Sequence, residues 1–193
     1  MGKRIQTLLK HLSSEPAVGG LAITRSHLRY VLSEKGIKAT VQIPEGVIKD
    51  GVIQDEKNFQ EALGRLHDII TPKKKGLEIK VVISLPPDLI YTQSFKIPYV
   101  AKKKLEESAM LNLQMITPIE AKEAYMDWQQ IREGETELEL LGAFIEKKHI
   151  ESFEKSLLAA GFQSATFEFP ALSITRLAGE KTSALILHVS DDG

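Results

Sequence analysis

The sequence predicts an α/β fold that carries an inserted α+β unit. Residues 79–85 form a nearly all-apolar run, as expected of a strand that is covered on both faces of its sheet. Pro86 and Pro87 end this strand, because proline has no N–H to donate to a ladder. Residues 91–97 then alternate between apolar and polar side chains, which is typical of a half-exposed antiparallel strand. The chain therefore leaves one sheet at the double proline and enters another.

Composition limits the classes of function. The 193 residues include 25 Lys and Arg against 26 Asp and Glu, a balance that argues against a nucleic-acid-binding protein. The chain has no cysteine, which excludes disulfides, thiolate zinc sites and a cysteine nucleophile. No apolar run approaches the roughly 18 residues of a membrane-spanning helix, and no secretory signal opens the sequence. A cytoplasmic protein without a direct transmembrane span is expected.

Before the double proline, the pattern predicts a mixed sheet with helical cover. Residues 20–32 form two strands that meet at a tight turn, and residues 38–43 form a third strand. Asp55 caps a helix that runs to about Ile70, because apolar residues recur at helical spacing along this segment. Residues 1–17 are amphipathic, which fits a packed helix or, alternatively, a weak interfacial anchor.

Beyond the double proline, the elements predict the inserted unit. In order they are a strand, a helix, a hairpin of two strands, a second helix and a last strand, in residues 91–97, 101–116, 125–131, 138–145, 147–160 and 162–169. We expect one sheet with two helices on one face, and the second helix should point Ile150, Phe153, Leu157 and Leu158 inward. A short helix and a buried strand follow, in residues 171–177 and 184–189. The predicted division is a core of residues 18–86 and 167–193, with residues 87–166 inserted.

Several stretches, taken in order, resemble the PilM family, the actin-like proteins of type IV pilus assembly. They are residues 20–32, 46–53, 82–86, 95–98, 151–161 and 168–176. The resemblance implies an actin-like, ribonuclease H-like ATPase fold, in which an inserted subdomain replaces the one of conventional actins, as in FtsA. The family's full chain is nearly twice as long, so the fold implied here is truncated after its first half.

The resemblance also implies a function and a partner. Members of the family are cytoplasmic scaffolds, peripheral to the inner membrane, that bind the N-terminal tail of PilN between the first subdomain and the insertion. We expect the walls of that groove to include Pro86, Pro87, Tyr91, Phe95 and Ile97. The related cytoplasmic domain of the type II secretion protein GspL shares the fold, and a secretion or cell-division homologue is therefore an alternative. Self-association is also left open.

The phosphate-binding positions implied by the actin-like fold have lost their chemistry. The fold carries Asp-x-Gly in each of two hairpins, but here the first hairpin has Ala22 and Thr24, and the second has His188 and Ser190. Each lost charged contact is worth roughly 1.5–3 kcal/mol. Arg25 and Ser26 follow in the first turn, and direct phosphate binding by Arg25 and His27 is the alternative. We expect a scaffold without nucleotide, while an ATP-binding protein that uses Mg²⁺ stays the competing hypothesis.

Catalytic and metal-binding residues are not predicted. The five histidines are scattered, with no pair at the spacing of a helical metal site. The sequence has no phosphate loop, no Gly-x-Ser-x-Gly elbow and no His-Glu-x-x-His motif. The residues therefore favour a binding scaffold over an enzyme.

Overall fold

The computed structural model describes residues 17–72, 77–178 and 186–187. The predicted N-terminal amphipathic segment, except Ala17, lies outside the described residues, as does most of the predicted strand at residues 184–189. His188 and Ser190 are outside them as well.

The described residues form a mixed α/β fold. The strands are β1 (Gly19–Ile23), β2 (His27–Leu32), β3 (Ile37–Gln42), β4 (Ile48–Lys49), β5 (Val52–Ile53), β6 (Ile79–Ser84), β7 (Tyr91–Pro98), β8 (Ala124–Glu133), β9 (Glu137–Glu146) and β10 (Phe162–Glu168). The α-helices are α1 (Glu56–Ile70), α2 (Lys102–Ile116), α3 (Lys147–Ala159) and α4 (Pro170–Ala178). The predicted order of strands and helices is confirmed for these elements, except that the short strands β4 and β5 were not predicted.

Among the described residues, the larger sheet has five strands in the order β10-β6-β1-β2-β3. Strands β1, β2 and β3 form an antiparallel meander, whereas β6 runs parallel to both β1 and β10. Alternate residues of β6 are fully buried, and the residues between them are partly buried, so the predicted cover on both faces is confirmed. The sheet is therefore mixed, as expected.

Helix α1 is set by its cap and its apolar face. Asp55 accepts a hydrogen bond from the backbone N–H of Asn58 at 3.0 Å, which satisfies one of the free donors of the first turn. Phe59, Leu63 and Leu66 are fully buried on the inner face. The ring of Phe59 meets that of Phe153 on α3 edge to face, at 5.6 Å between centroids. Helices α1 and α3 thus share the main core.

The smaller sheet has three strands in the order β7-β9-β8, all antiparallel. Helix α2 covers one face of it, where Ala109 packs with Ile97 and Leu140 in a separate small core. Gly142 allows this close approach, because a Cβ there would lie 2.5 Å from Leu113 of α2. The opposite face of this sheet is not covered by α2.

Two predicted elements, a strand and the helix before it, join the larger sheet and its core instead of the inserted unit. Helix α3 and β10 were predicted to complete the inserted sheet, but β10 pairs with β6 in the larger sheet. Phe162 at the start of β10 is buried in the main core, together with Phe153 and Leu157 of α3. The prediction of a single inserted sheet with two helices was wrong. Because the chain returns to the main core at α3, the described strands of the smaller sheet all lie within residues 91–146.

The inner face of α3 also differs from the prediction in one residue. Ile150, Phe153 and Leu157 are buried as expected, but Leu158 is 56% exposed, and Ser156 is buried instead. The helix is rotated so that the i, i+3, i+7 row faces α1 and β10. A hydroxyl without a hydrogen-bond partner, Ser156 Oγ, lies inside this contact.

We predict that stability falls in mild acid because of His149, in the first turn of α3. Burial lowers the pKa of His149, against a smaller opposing effect of Glu146. The unfolded chain therefore binds more protons, and the free energy of unfolding should decrease as pH falls from about 6.5 through the lowered pKa. Chemical unfolding of His149→Gln at several pH values should give a flatter profile than the native chain. Parallel profiles for the two proteins would contradict this.

Candidate functional site

Two concave surfaces meet where β6 ends. One, here called the lateral groove, lies between the smaller sheet on one side and β10 with α4 on the other, and has a volume of about 760 Å³. The other, the sheet-end cleft, lies at the carboxyl ends of β1 and β6 and has a volume of about 840 Å³. Leu85, Glu168 and Phe169 line both surfaces. The segment before the double proline thus separates two candidate binding sites.

The floor of the lateral groove is the face of the smaller sheet that α2 leaves uncovered. Thr92, Ala143 and Asp127 stand opposite one another across the three strands, and so share this face. Leu141 and Ile145 extend the floor, while the facing wall is apolar, with Phe167, Phe169 and Leu172 among its residues. An apolar floor and an apolar wall of this kind suit the side chains of a bound polypeptide.

The outer edge of β8 pairs with no other strand in the described part of the chain, and this free edge also lines the lateral groove. Five consecutive residues, 125–129, contribute to its surface. Because successive side chains of a strand point to opposite faces, such a run means that the strand edge itself borders the groove. The regular pairing of β8 ends at a bulge between Gln130 and Arg132. Another strand could therefore pair regularly with this edge of the groove only as far as the bulge.

Carboxylates dominate the charge of the lateral groove. Asp127 is exposed and accepts a hydrogen bond from its neighbour's N–H at 2.8 Å, and Glu154 accepts one from Ser164 at 3.0 Å. Glu168 accepts a hydrogen bond from Ser173 and forms an ion pair with Arg176 on α4. Three carboxylates thus line this groove with one arginine.

The sheet-end cleft contains the predicted phosphate-loop positions. Ala22, Thr24 and Arg25 line it, together with Pro86 and Pro87. The structure therefore brings the first degenerate loop and the double proline to one surface.

The turn between β1 and β2 uses part of its hydrogen-bonding capacity internally. The N–H of Thr24 donates to the carbonyl of His27 at 3.0 Å, and the N–H of His27 donates to Thr24 Oγ1 at 3.1 Å. Ser26 Oγ lies 2.7 Å from Nδ1 of His27. These two backbone donors are therefore engaged within the turn, whereas a phosphate cradle needs N–H groups that point at the ligand.

The predicted partner-binding residues fall on different surfaces. Pro86 and Pro87 line the sheet-end cleft, not the lateral groove. Ile97 is 1% exposed, and Phe95 packs with it against the residues of α2. Tyr91 shares that face of β7 but is half exposed. Strand β7 reaches the lateral groove through Thr92, on the face opposite to that of Tyr91, Phe95 and Ile97.

The described part of the chain was also searched for metal sites, buried histidines and membrane-spanning helices. No group of three or more His, Asp or Glu side chains there is arranged to hold a metal ion. Of the histidines that the structure describes, His67 is the one that is buried, and its Nε2 lies 2.8 Å from the carbonyl of Leu77. No helix among the residues described is long and apolar enough to cross a membrane.

These features match a known fold. The chain has the fold found in the PilM-PilN type IV pilus biogenesis complex. The similarity extends over 81% of this chain and 48% of the matched chain of that complex, with a TM-score of 0.66 and 17% sequence identity. A solved structure of the cytoplasmic domain of EpsL, an inner membrane component of the type II secretion system of Vibrio cholerae, is similar over 78% of this chain and 56% of its own, with a TM-score of 0.49 and 13% identity. The predicted resemblance to PilM is confirmed for the fold.

The chain spans about half the length of these solved structures. No protein-family model matches the sequence, and no curated protein matches it either. The division into subdomains, the truncation and the ATPase features remain predictions.

The groove floor was not predicted from the sequence, because contacts were expected on only one face of the smaller sheet. In β9, Leu140 and Phe144 face α2, but Leu141, Ala143 and Ile145, on the other face, are also apolar or small. A nearly continuous apolar run of this kind is typical of a strand that is covered on both faces. That signal in residues 140–145 could have indicated a second contact surface.

A tight turn supports the double-proline corner, and it yields a prediction. Asp50 and Gly51 join β4 to β5 with positive φ angles of 50° and 76°, and a Cβ on Gly51 would lie 2.7 Å from Leu89. Gly51→Ala should therefore cost about 1 kcal/mol of backbone strain plus roughly 1–3 kcal/mol of overpacking. Gly46 has a φ of 82° but nothing within 4 Å of its Cβ position, so Gly46→Ala should cost the strain alone. Equal losses in chemical unfolding of the two variants would contradict the contact.

Proposed function

We propose that this chain is a cytoplasmic scaffold of a type IV pilus or related assembly machine. In this proposal it lies peripheral to the inner membrane through its partners. It binds the extended N-terminal tail of a PilN-type membrane protein in the lateral groove, and it acts without nucleotide. The similarity of fold to a chain of the PilM-PilN complex supports this function.

The observation that carries the proposal is the free edge of β8 in the lateral groove. An extended tail can add to this edge as a fourth strand, once the N–H of Trp128 exchanges its hydrogen bond with the carboxylate of Asp127 for one with the tail. Residues 125–129 offer about 16 Å of edge at 3.3 Å per residue, enough for a segment of roughly five residues. The uncovered face of the smaller sheet then contacts one set of alternate side chains of the tail.

The wall opposite β8 supports the same mode of binding. Phe167 and Phe169 flank Glu168, which is held by Ser173 and Arg176 of α4. Because β10 pairs with β6 in the larger sheet, this wall is part of the rigid core. A tail in the groove would therefore contact the smaller sheet on one side and the main core on the other.

Three features of the sheet-end cleft support a function without nucleotide. Ala22 and Thr24 provide no carboxylate for a magnesium shell. The N–H groups of Thr24 and His27 are engaged within the turn. The cleft is lined by the carboxylates of Asp50, Asp88 and Glu168 as well as by Arg25 and Arg29, so it has no excess of positive charge for a phosphate.

We predict that a substitution in the groove floor weakens binding of the tail. A fluorescent synthetic peptide with the N-terminal tail sequence of a PilN-type protein is titrated with the chain, and anisotropy is measured. Ala143→Arg places a long cation on the partly buried floor, and should weaken binding at least about tenfold, since loss of roughly 1.4 kcal/mol corresponds to that factor.

The matched control is Gln93→Arg, an exposed position on the opposite face of the same sheet, which should leave binding unchanged. If the native chain does not bind the peptide at high micromolar concentration, the PilN-type function is wrong. A secretion or cell-division partner then becomes the better hypothesis. Equal affinities of the native chain and Ala143→Arg would instead locate the tail outside the lateral groove.

We also predict that Mg-ATP does not bind. Its addition should leave the melting temperature of the chain unchanged, since a ligand raises stability only when it binds the folded state. Isothermal titration calorimetry provides the second measurement. A saturable rise in melting temperature that requires Mg²⁺, or a heat of binding, would favour the competing ATP-binding hypothesis.

A further inference from the structure

The side chain of Asp127 caps part of the β8 edge that the proposed tail must use. The N–H of Trp128 donates to the carboxylate of Asp127 at 2.8 Å, and both residues line the lateral groove. An N–H that donates to this side chain is not paired with β9, so the backbone groups of Trp128 face outward from the sheet. In the free chain, the carboxylate therefore satisfies a donor of the sheet edge.

The same carboxylate stands beside any strand that adds to β8. Backbone groups alternate along a strand, so those of Asp127 face β9, where the residue pairs with Ala143. In antiparallel addition, the tail residue opposite Asp127 is thus in a non-hydrogen-bonded pair, with the two Cα atoms only about 4.5 Å apart. Both side chains of such a pair lie on the same face of the sheet, here the groove floor. A side chain of the tail at this position therefore meets the carboxylate directly.

The charge of the lateral groove favours a cation at this position. Asp127, Glu154 and Glu168 line the groove, and Arg176 is the one basic side chain among its described lining residues. Because Arg176 is paired with Glu168, the charges of Asp127 and Glu154 are not balanced within the groove. A bound cation would therefore compensate carboxylates on the floor and on the facing wall.

Two basic residues close to β8 are engaged outside the groove lining. Lys147 lies over the ring of Tyr125, 5.6 Å from its centroid, and donates to the carbonyl of Lys122 at 2.7 Å. Arg132, beyond the bulge of β8, forms an ion pair with Glu139 at 3.0 Å. Neither lysine nor arginine supplies a counter-charge to the groove floor at Asp127.

We propose that Asp127 is a specificity-determining residue of the lateral groove, and that it selects a tail with Lys or Arg opposite it. This inference rests on the proposed function, in which the tail adds to β8. A basic side chain draws the carboxylate away from the N–H of Trp128, and a carbonyl of the tail then accepts from that N–H. A strand with a neutral or acidic residue there must compete with the carboxylate for the N–H and leaves the charge unbalanced. The edge is thereby closed to most strands and open to a basic tail.

Host peptides test this selection apart from the identity of the partner. Each is a short, fluorescent, end-capped peptide that alternates Thr and Val around one central guest residue, which is Lys, Gln or Glu, and binding is measured by anisotropy. The native chain should bind the Lys peptide about fivefold more tightly than the Gln peptide, as expected of a favourable cross-strand ion pair, and the Glu peptide most weakly. Added salt should reduce this preference.

Substitutions of Asp127 assign the preference to this residue. Asp127→Asn keeps an oxygen acceptor for the N–H of Trp128 but carries no charge, and it should lose most of the preference for the Lys peptide. Asp127→Lys should reverse the order, so that the Glu peptide binds best. Asp68→Asn is the matched control, because it removes an exposed carboxylate of α1 that does not line the groove, and it should keep the native preference.

The cap itself is tested with Asp127→Ala. This variant frees the N–H of Trp128, so it should bind the Gln peptide more tightly than the native chain does. The amide of Trp128 should also exchange its hydrogen faster in this variant, which NMR measures in the absence of any peptide. Unchanged affinity together with unchanged exchange would contradict the proposed cap.

The outcomes separate this inference from the proposed function. It is overturned if the Lys peptide does not bind at high micromolar concentration, if the Lys and Gln peptides bind the native chain equally, or if Asp127→Asn keeps the preference. Binding of the PilN-type tail without charge selection would keep the proposed function and reject the inference. Charge selection that depends on Asp127, without binding of the PilN-type tail, would support the inference and reject that partner.

Discussion

The parallel pairing of β6 with both β1 and β10 is the interaction on which the rest of the structure depends. Val81 and Ile83 of this strand are fully buried and pair with residues of β1, and Ile79 pairs with Phe162 of β10. Parallel neighbours require crossover connections, so the segments before and after β6 must leave the sheet and return. Helix α1 makes one return, and the small sheet followed by α3 makes the other. Both concave surfaces lie where β6 ends, because both crossovers leave the sheet from that edge.

The return of the chain to β6 depends on a tightly packed glycine. Gly161 has a φ of 82°, and its carbonyl accepts a hydrogen bond from Ile79 at 2.9 Å. A Cβ at this position would lie 3.0 Å from Nε2 of His67 on α1. The ring of His67 also meets that of Phe162 edge to face, at 5.7 Å between centroids. The histidine, the glycine and the start of β10 therefore form one contact, and it sets β10 beside β6 as a wall of the lateral groove.

The smaller sheet has surfaces with different surroundings. One face packs on α2 through Leu140 and Ile97 and supplies its own core. The other face forms the floor of the lateral groove, next to the free edge of β8. In the described part of the chain, the outer edges of β7 and β8 pair with no other strand. An unpaired edge of this kind is where an extended peptide can add to a sheet.

The sequence by itself determined the order of the longer strands and helices, the exit at Pro86 and Pro87, and the absence of a carboxylate at Ala22 and Thr24. These features depend on local chemistry: periodicity, the missing N–H of proline, and the identity of single side chains. Only the tertiary structure decided that β10 joins the larger sheet, and that Phe95 and Ile97 face α2 while Thr92 faces the groove. Strand partners and strand faces are set by contacts between residues far apart in the chain, and an alternating pattern looks the same whichever sheet it joins.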